Sequence, residues 1–378
     1  MFKKIFFRKG RFLNSLTIVL SLALIVLATI QTITPISKEN PTSLFAKIPV
    51  LFGIPVLILA SLGLITVILI IVLEHKKGEN SKLFIIKKSI NYLLTILLSF
   101  YFIEYVILGT IHNFQIAESY NKMPEKDLFF VSVAWVVQNY GKDYLRGILA
   151  TLSISLIGTV IGLVFGLFVA ILRVQKVEKN DSEFTSFLKK IALGFSKGYI
   201  GLFRGTPMMV QAILLYYLIP FAISQATGIS MTIMDKIFTA FVSGLITVTL
   251  NTTAYLAEVL RGSIENLDKG QSEAARSLGF GYWKTMFYVV LPQALKNSMA
   301  SIGNEFVINI KDTSVLNVIT VVDIFFVANE VQSDTFRFSE PFFIAAIIYL
   351  ILTFVTTRIL SLIDKKMDVE SKPLPSCN

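Results

Sequence analysis

Cysteine and histidine are almost absent from this sequence. The single cysteine, Cys377, stands beside the last residue, and the two histidines, His75 and His112, are far apart. One thiol cannot form a disulfide framework within the chain or a thiolate metal site, and neither histidine has other metal-ligating side chains near it in the sequence. We therefore expect neither a disulfide scaffold nor a bound metal.

Charge is also scarce. Only 16% of the 378 residues are charged, whereas 54% are hydrophobic, and the mean hydropathy is +0.69. Soluble domains have about 25% charged residues, so this composition excludes an ordinary soluble domain and predicts a membrane protein. The formal net charge of +10 comes from basic residues spread between apolar segments. This distribution argues against a basic groove and against a nucleic-acid partner.

Long apolar segments recur along the whole chain. A helix needs about 20 apolar residues to cross a bilayer, and the first segment lacks an Ala-x-Ala cleavage site, so we predict an uncleaved first span. The fold class is therefore an all-α, polytopic membrane helical bundle of about eight transmembrane helices. The predicted spans are residues 13–33, 50–73, 90–111, 148–172, 207–223, 238–260, 298–331 and 341–362.

Lysine and arginine are unevenly distributed between the two sets of alternate connections. One set, which includes both termini, holds 25 of them and the other set holds eight. Basic residues favour the cytoplasmic side, so we expect a multi-pass chain with both termini in the cytoplasm. The same count favours one crossing for residues 298–331. A polar stretch over residues 112–144 predicts an N-terminal accessory transmembrane region (1–139), a transmembrane core (140–366) and a cytoplasmic tail (367–378).

The longest polar interruption of the core is residues 251–292. Ser272 is expected to cap a short helix, Glu273 favours the helix dipole in the first turn, and Gly279 predicts a left-handed end. A second amphipathic helix is expected over residues 282–290, ended by Pro292. The first helix would carry on one face Ala274, Ala275 and Leu278. These two short helices would form a compact protrusion on the cytoplasmic side, to which a soluble partner can bind.

Other local patterns predict helix contacts. Gly158, Gly162 and Gly166 form a small-residue ridge, suited either to packing within the chain or to a dimer contact. Glu258 and Arg261 are spaced to pair on a helix. Pro207 is expected to open a helix capped by Thr206, and the connection over residues 173–204 predicts a short helix along the membrane surface. That helix would place Lys189 and Lys190 opposite a face formed by Phe184, Phe187, Leu188 and Ile191.

The polar stretch also carries a specific motif. Glu-Ala-Ala is followed by Gly four residues later and then by a Leu-Pro pair, here Glu273, Ala274, Ala275, Gly279, Leu291 and Pro292. This spacing resembles the EAA loop of the membrane subunits of bacterial ABC importers. The segments that resemble the polar amino acid permease branch, in the same order, are FRGTPMMVQ (203–211), AYLAEVLRG (254–262), KGQSEAARSLG (269–279), LPQAL (291–295) and IKDTSVL (310–316).

The resemblance covers residues 140–366, the last five predicted spans, which would form the permease transmembrane domain. The first three helices are extra to the usual five-helix plan. The family implies a bacterial plasma-membrane importer with ABC ATPase subunits, a second permease subunit in a homo- or heterodimer, and an extracellular or periplasmic solute-binding protein. It implies alternating-access transport of polar amino acids, in contact with membrane lipid. The sequence has no G-x-x-x-x-G-K-[ST] motif, so ATP-Mg is expected in the partner ATPase, with no cofactor and no catalytic residue in this chain.

The resemblance assigns roles to individual residues. Those expected to couple the permease to the ATPase are Gly270, Glu273, Ala274, Ala275, Gly279, Leu291 and Pro292. A second group, either shaping the cytoplasmic start of a core helix or only capping it, is Arg204, Gly205, Thr206 and Pro207.

Polar residues interrupt the predicted span 298–331, where they are costly unless they face the bundle interior or water. They are candidates for the substrate path: Asn304, Glu305, Asn309, Lys311, Asp312 and Thr313. Lys311 would face a substrate carboxylate, and Glu305 or Asp312 a substrate ammonium group. Alternatively, Lys311 and Asp312 neutralise each other.

Three other functions remain open at this point. The chain could be a permease of the same type for another small polar solute, an ATP-independent channel, or a polytopic membrane enzyme. An enzyme would need paired catalytic groups, and the sequence has no Gly-x-Ser-x-Gly elbow or zincin motif. A channel would transport without an ATPase, so co-purification of an ATPase separates that hypothesis from an importer.

Overall fold

The structure is a computed structural model that describes residues 89–90, 92–96, 109–126, 128–178 and 181–370. The predicted spans 13–33 and 50–73 lie outside the described residues, and the span 90–111 is described only in part. The chain divides into two compact units, residues 1–121 and 122–378. In the first unit the structure describes helix α1 (Gly109–Glu118) and a few residues of the preceding span.

The second unit is all-helical throughout its described residues, which confirms the predicted fold class. Two five-residue π-helical turns, π1 and π2, and one 3₁₀ segment interrupt the α-helices. The α-helices are α2 (Phe129–Arg173), α3 (Glu183–Gly205), α4 (Met208–Ile213), α5 (Ile219–Thr227), α6 (Met231–Ile237), α7 (Ala240–Glu265), α8 (Lys269–Ser277), α9 (Tyr282–Thr285), α10 (Leu291–Asp312), α11 (Ile324–Thr335) and α12 (Ser339–Glu370). The interruptions are π1 (Leu214–Leu218), π2 (Met286–Val290) and the 3₁₀ segment Thr313–Ile319.

Four helical stretches in the described chain are long and apolar enough to cross a membrane: Phe129–Arg173, Met208–Thr227, Ala240–Glu265 and Ser339–Asp364. A fifth crossing results if Tyr282–Ile319 and Ile324–Thr335, bent by 48° at a short break, count as one span. These stretches coincide with the five predicted core spans.

Helix α2 is much longer than its predicted span. It has 45 residues, roughly 68 Å at the α-helical rise of about 1.5 Å per residue, which exceeds the bilayer thickness. The polar stretch over residues 112–144, interpreted from the sequence as a boundary, is helical from Phe129 onward, because no glycine or proline follows Pro124 until Gly141. The first half of α2 therefore extends beyond the apolar part of the span.

Helices α2 and α7 are in close contact through the glycine ridge. A Cβ atom added at Gly158 would lie 2.8 Å from Val248 Cγ1, and one at Gly162 would lie 2.9 Å from Thr252 Cγ2. These approaches are closer than ordinary carbon contacts, so only glycine fits there. The ridge is used for packing within the chain, the first of the two predicted alternatives.

The core consists of clusters that follow one another along α2. Near its start, Val136 and Tyr144 pack with α11 and the beginning of α12. In the middle, Ile154 packs with α4, α7 and the 3₁₀ segment. Near its end, Leu167 and Ile171 pack against π2. The start of α2 and the connection between α7 and α10 therefore lie at opposite ends of the bundle.

Helix α3 is longer than the predicted surface helix. Ser182 caps it by accepting a hydrogen bond from the Thr185 backbone nitrogen, and Tyr199 donates to the Leu250 carbonyl of α7 at 2.8 Å. The predicted apolar residues, Phe184, Phe187, Leu188 and Ile191, are all exposed. Lys189, predicted to lie on the opposite face, forms a salt bridge with Asp181 at 2.7 Å, which lowers the pKa of that carboxyl group.

Candidate functional site

Helix α8 carries the Glu-Ala-Ala motif. Its cap is Asp268, whose Oδ1 accepts from the Gly270 backbone nitrogen at 2.9 Å. The predicted cap, Ser272, was wrong, because the helix has already begun at Lys269 and the Ser272 hydroxyl donates to the Lys269 carbonyl. Asp268 accepts from the Gly270 nitrogen with its side chain and from the Gln271 nitrogen with its carbonyl, and it places a negative charge at the positive end of the helix dipole.

Gly279 ends α8 as predicted. Its φ is +85°, a left-handed conformation that glycine adopts without the steric cost of a Cβ atom. The Gly279 nitrogen donates to the Arg276 carbonyl at 2.9 Å and the Phe280 nitrogen donates to the Ala275 carbonyl at 3.1 Å. These two bonds form a Schellman motif, which ends α8 before α9 begins.

The exposed surface of α8 differs from the predicted face. Ala275 is buried, with 6% of its surface exposed, whereas Leu278 is 80% exposed. Glu273 and Ala274 are also exposed. The predicted common face of Ala274, Ala275 and Leu278 is therefore wrong, because Ala275 faces the rest of the loop while the other two face outward.

An apolar cluster joins the loop to the core. Met286, Val290 and Leu291 are buried against Leu167 and Ile171 of α2. Gln175, which follows the end of α2, donates from Nε2 to the Tyr282 hydroxyl at 3.2 Å. The loop is therefore attached to α2 and to the beginning of α10 by packed apolar side chains and one hydrogen bond.

Pro292 does not end the second short helix. It directly follows π2 and Leu291, whose nitrogen donates to the Met286 carbonyl five residues back, and a local π adjustment of this kind lets a helix continue past a proline. Helix α9, π2 and α10 therefore form one continuous helical rod from Tyr282 to Asp312. Gly270, the remaining predicted coupling residue, is exposed in the first turn of α8.

The Arg204–Pro207 segment is the end of α3 and the two-residue turn that leads to α4. Pro207 precedes the first residue of α4 with extended backbone angles, so the prediction that it is the first helical residue was wrong. Thr206, predicted to cap α4, instead donates to the Leu202 carbonyl of α3 at 2.8 Å. Gly205 is the last residue of α3, and the Arg204 guanidinium lies 5.0 Å from the centre of the Tyr255 ring.

Two residues that the sequence analysis did not single out hold this turn. Gln211 donates from Nε2 to the carbonyls of Phe203 and Thr206 at 2.9 and 3.0 Å. Asn251 of α7 donates to Gln211 Oε1 at 3.2 Å. The position of Asn251 as an amide side chain in a span was the signal available in the sequence, since such a group needs a partner.

Glu258 and Arg261 pair as predicted, with two guanidinium nitrogens 2.9 and 3.0 Å from the two carboxylate oxygens. Arg261 also binds Glu265. This cluster occupies the last two turns of α7, immediately before Asp268 and α8, and stiffens the helix end from which the loop begins.

The six candidate substrate-path residues, five on α10 and Thr313 at the start of the 3₁₀ segment, fall into two groups by exposure. Glu305, Asn309 and Thr313 are buried, whereas Asn304, Lys311 and Asp312 are exposed. Asn309 donates from Nδ2 to Thr159 of α2 and Thr252 of α7, both at 2.9 Å. Thr313 donates to the Ile310 carbonyl at 3.0 Å. Asn309 thus joins three helices.

Comparison with known proteins supports one family. The family described as "Binding-protein-dependent transport system inner membrane component" matches residues 184–369. A putative glutamine transport system permease protein of Rickettsia typhi is 34% identical over 225 residues, 60% of this chain and 93% of that protein. The glutamine transport system permease protein of Escherichia coli K12 is 32% identical over 225 residues, again 60% of this chain and 93% of the relative.

A solved structure has the same core. The crystal structure of an amino acid ABC transporter with histidines matches 61% of this chain and 97% of its own chain, with 32% identity and a TM-score of 0.51. The match therefore takes in nearly all of that chain and leaves more than a third of this chain as additional sequence. The chain belongs to the family of binding-protein-dependent transport system inner membrane components, the membrane-spanning permease subunits of ABC importers.

Proposed function

We propose that this chain is the permease subunit of an ATP-driven importer of polar amino acids in a bacterial plasma membrane. Glutamine permeases and an amino acid ABC transporter are similar to it over almost their whole lengths. The observation that carries the proposal is the exposed helix α8, held between α7 and α10 and ended by the left-handed Gly279.

Helix α8 suits a coupling role because it is exposed on one side and firmly attached on the other. Glu273 and Leu278 offer a charge and an apolar contact to a partner. The Schellman turn and the cluster of Met286, Val290 and Leu291 connect α8 to α2 and α10. A separate ATPase subunit that grips α8 would therefore move the helices of the core when it closes on ATP-Mg.

The assembly would contain two such permease subunits, two ATPase subunits and an external solute-binding protein. ATP and the loaded binding protein would favour an outward-facing state, and ATP hydrolysis would return the inward-facing state, so that transport follows a shift in population. With α8 in the cytoplasm, the beginning of α2 and the connection between α11 and α12 would lie on the external side.

The substrate path would pass along α10. Lys311 and Asp312 are exposed near its end, and Glu305 lies two turns earlier in the helix. A zwitterionic amino acid needs a cation for its carboxylate and an anion for its ammonium group. We expect Lys311→Gln to raise the KM for uptake with the ATPase rate retained. An unchanged KM would remove Lys311 from the path.

Co-purification tests the proposal directly. A tagged chain, extracted from its native membrane, should bring down an ATPase subunit, and reconstituted complexes should accumulate glutamine only when ATP is supplied inside. A chain that binds no ATPase and transports after ATP depletion would be a channel. Testing other small polar solutes in the same vesicles separates an amino acid permease from a permease of another specificity.

A further inference from the structure

Two aromatic rings stand out from the turn between α11 and α12. Phe336 is 83% exposed and Phe338 is 66% exposed, whereas the side chain of Arg337 between them is only 12% exposed. The turn lies where α11 and the beginning of α12 pack on the first half of α2, at the end of the bundle opposite α8.

The Phe336 side chain points outward from a backbone conformation that phenylalanine rarely adopts. Phe336 has a φ of +53°, a left-handed conformation that is disfavoured for a bulky residue and persists only where the surroundings impose it. Arg337 provides that constraint, because its guanidinium binds the Pro124 carbonyl and lies 3.4 Å from the carboxylate of Glu340, whose side chain is 4% exposed. The turn therefore holds both phenylalanine rings in fixed, exposed positions.

The surroundings of the rings are polar. Exposed residues within two helical turns are Glu330, Ser333, Asp334 and Ser339. Tyr140 donates to Asp334 at 3.2 Å, at an exposed position. Such neighbours belong in water, where two large apolar rings have no covering partner. The exposed ionisable residues beside the rings on α11 are both acidic, Glu330 and Asp334.

Exposed aromatic residues that are rigidly held and ringed by charge are typical of protein contact sites. We propose that Phe336 and Phe338 are a docking contact for the external solute-binding protein. The complementary surface would be an apolar patch with lysine or arginine on the side that faces α11, since the exposed ionisable residues on that side, Glu330 and Asp334, are acidic. On the other side, the segment that Arg337 binds at Pro124 continues with exposed Glu125 and Lys126, one residue of each charge. This inference rests on the proposed function, which places this end of the bundle outside the cell and supplies such a partner.

The test uses the complete transporter in vesicles and the amino-acid-loaded binding protein of the same system. The double variant Phe336→Gly with Phe338→Ala removes both rings and leaves a residue that accepts the left-handed backbone. We expect the concentration of binding protein that half-saturates ATPase stimulation to rise about tenfold, the usual effect of losing an interface hot spot. The ATPase rate without binding protein should stay unchanged, which shows that the complex is intact.

A matched control is Leu350→Ala with Phe354→Ala, since both residues are exposed on α12 within the apolar span. It should leave the half-saturating concentration unchanged. As a second probe that does not alter the turn, Glu330→Lys should weaken docking several-fold, with a smaller effect at high salt because exposed charges are screened.

Unchanged half-saturation in both the double variant and Glu330→Lys would overturn the inference. The same conclusion follows if the double variant lowers the thermal stability of the transporter in lipid while half-saturation is unchanged, because the rings would then contact the bilayer. If the unmodified transporter has no ATPase activity that any binding protein stimulates, the proposed function itself fails, and this outcome is distinct from a loss confined to the variants.

Discussion

The hydrogen bonds and burial of single residues distinguish those that pack the helices together from those that can contact a substrate. Asn309 was predicted for the substrate path, yet its amide donates to Thr159 and Thr252 on two other helices, and only 3% of its surface is exposed. A buried amide with both hydrogens bonded has no donor left for a solute in this conformation. We therefore expect Asn309 to stabilise the contact between α2, α7 and α10.

Asn309→Ala should lower stability by about 1 to 3 kcal/mol, since it leaves two buried threonine hydroxyls without this donor. The measurement is thermal unfolding of the detergent-solubilised protein. Asn304→Ala is the matched control, because Asn304 is exposed on the same helix and should leave the unfolding temperature unchanged. Loss of uptake with full stability in Asn309→Ala would instead indicate direct contact with the substrate.

Gly279 tests the coupling role at the level of one residue. Gly279→Asp places a side chain at φ +85°, which disfavours the turn by about 1 to 2 kcal/mol, and should uncouple ATP hydrolysis from uptake without preventing membrane insertion. Gly281→Asp is the control, since Gly281 has a φ of −70° that any residue adopts. Equal uptake per ATP in the two variants would count against α8 as the coupling element.

Glu273→Lys addresses the charge on the same helix. Because Glu273 is exposed, its reversal should weaken ATPase binding and uncouple hydrolysis from uptake. The control is Glu178→Lys, an equal charge change on the exposed connection between α2 and α3. Pull-down of the ATPase by both variants, together with uptake assays, measures the difference. Wild-type coupling in Glu273→Lys would remove this side chain from the contact.

Among the elements, the contact between α2 and α7 is the closest. Gly162→Ala would place a Cβ atom 2.9 Å from Thr252 Cγ2 and 3.4 Å from the Thr249 carbonyl oxygen, and overpacking of this kind costs about 1 to 3 kcal/mol. Gly198→Ala on α3 meets nothing within 4 Å and should stabilise by about 0.5 to 1 kcal/mol. Thermal unfolding should therefore shift in opposite directions, and a neutral Gly162→Ala would show that the two helices can move apart.

An element could be predicted from the sequence where it depends on neighbouring residues, and it could not be predicted where it depends on contacts between distant residues. Hydropathy located the five core spans, because burial in hydrocarbon depends on composition over one segment. The left-handed Gly279 was predictable from residue type alone. The N-cap of α8 could not be predicted in this way. Asp268 and Ser272 are both suitable cap residues, and the choice between them depends on where α7 ends. The partners of Asn309 were also hidden, since they lie up to 150 positions away in the sequence.

At the scale of the whole molecule, the permease core is a separate compact unit. Residues 122–378 form one unit, and the family match lies entirely within it, at residues 184–369. The accessory region, predicted as residues 1–139, would overlap this unit by 18 positions. The first half of α2 packs on α11 and α12, so these positions belong structurally to the core.

A chain that starts at Lys122 should therefore insert, bind the ATPase and transport. Its basic connections, residues 173–204 and 261–297, retain the positive-inside signal that orients the core. Expression, ATPase pull-down and uptake in vesicles measure this, with the full chain as the reference. A truncated chain that inserts but binds no ATPase would show that the first 121 residues are needed for assembly, and one that fails to insert would show that they set its orientation.

The two π-helical turns have a further consequence for how the helices are read from the sequence. In each case a single residue separates the π turn from a proline: Ile219 lies between π1 and Pro220, and Leu291 lies between π2 and Pro292. A π turn accommodates one extra residue compared with a regular α-helix, so the positions beyond it are rotated by about 100° relative to an uninterrupted helical wheel. The angular phase of α10, and with it the direction in which Asn309 points, is thus set near Tyr288, about six helical turns away. Inserting or deleting a single residue near either proline would therefore rotate the whole of the following helix about its axis.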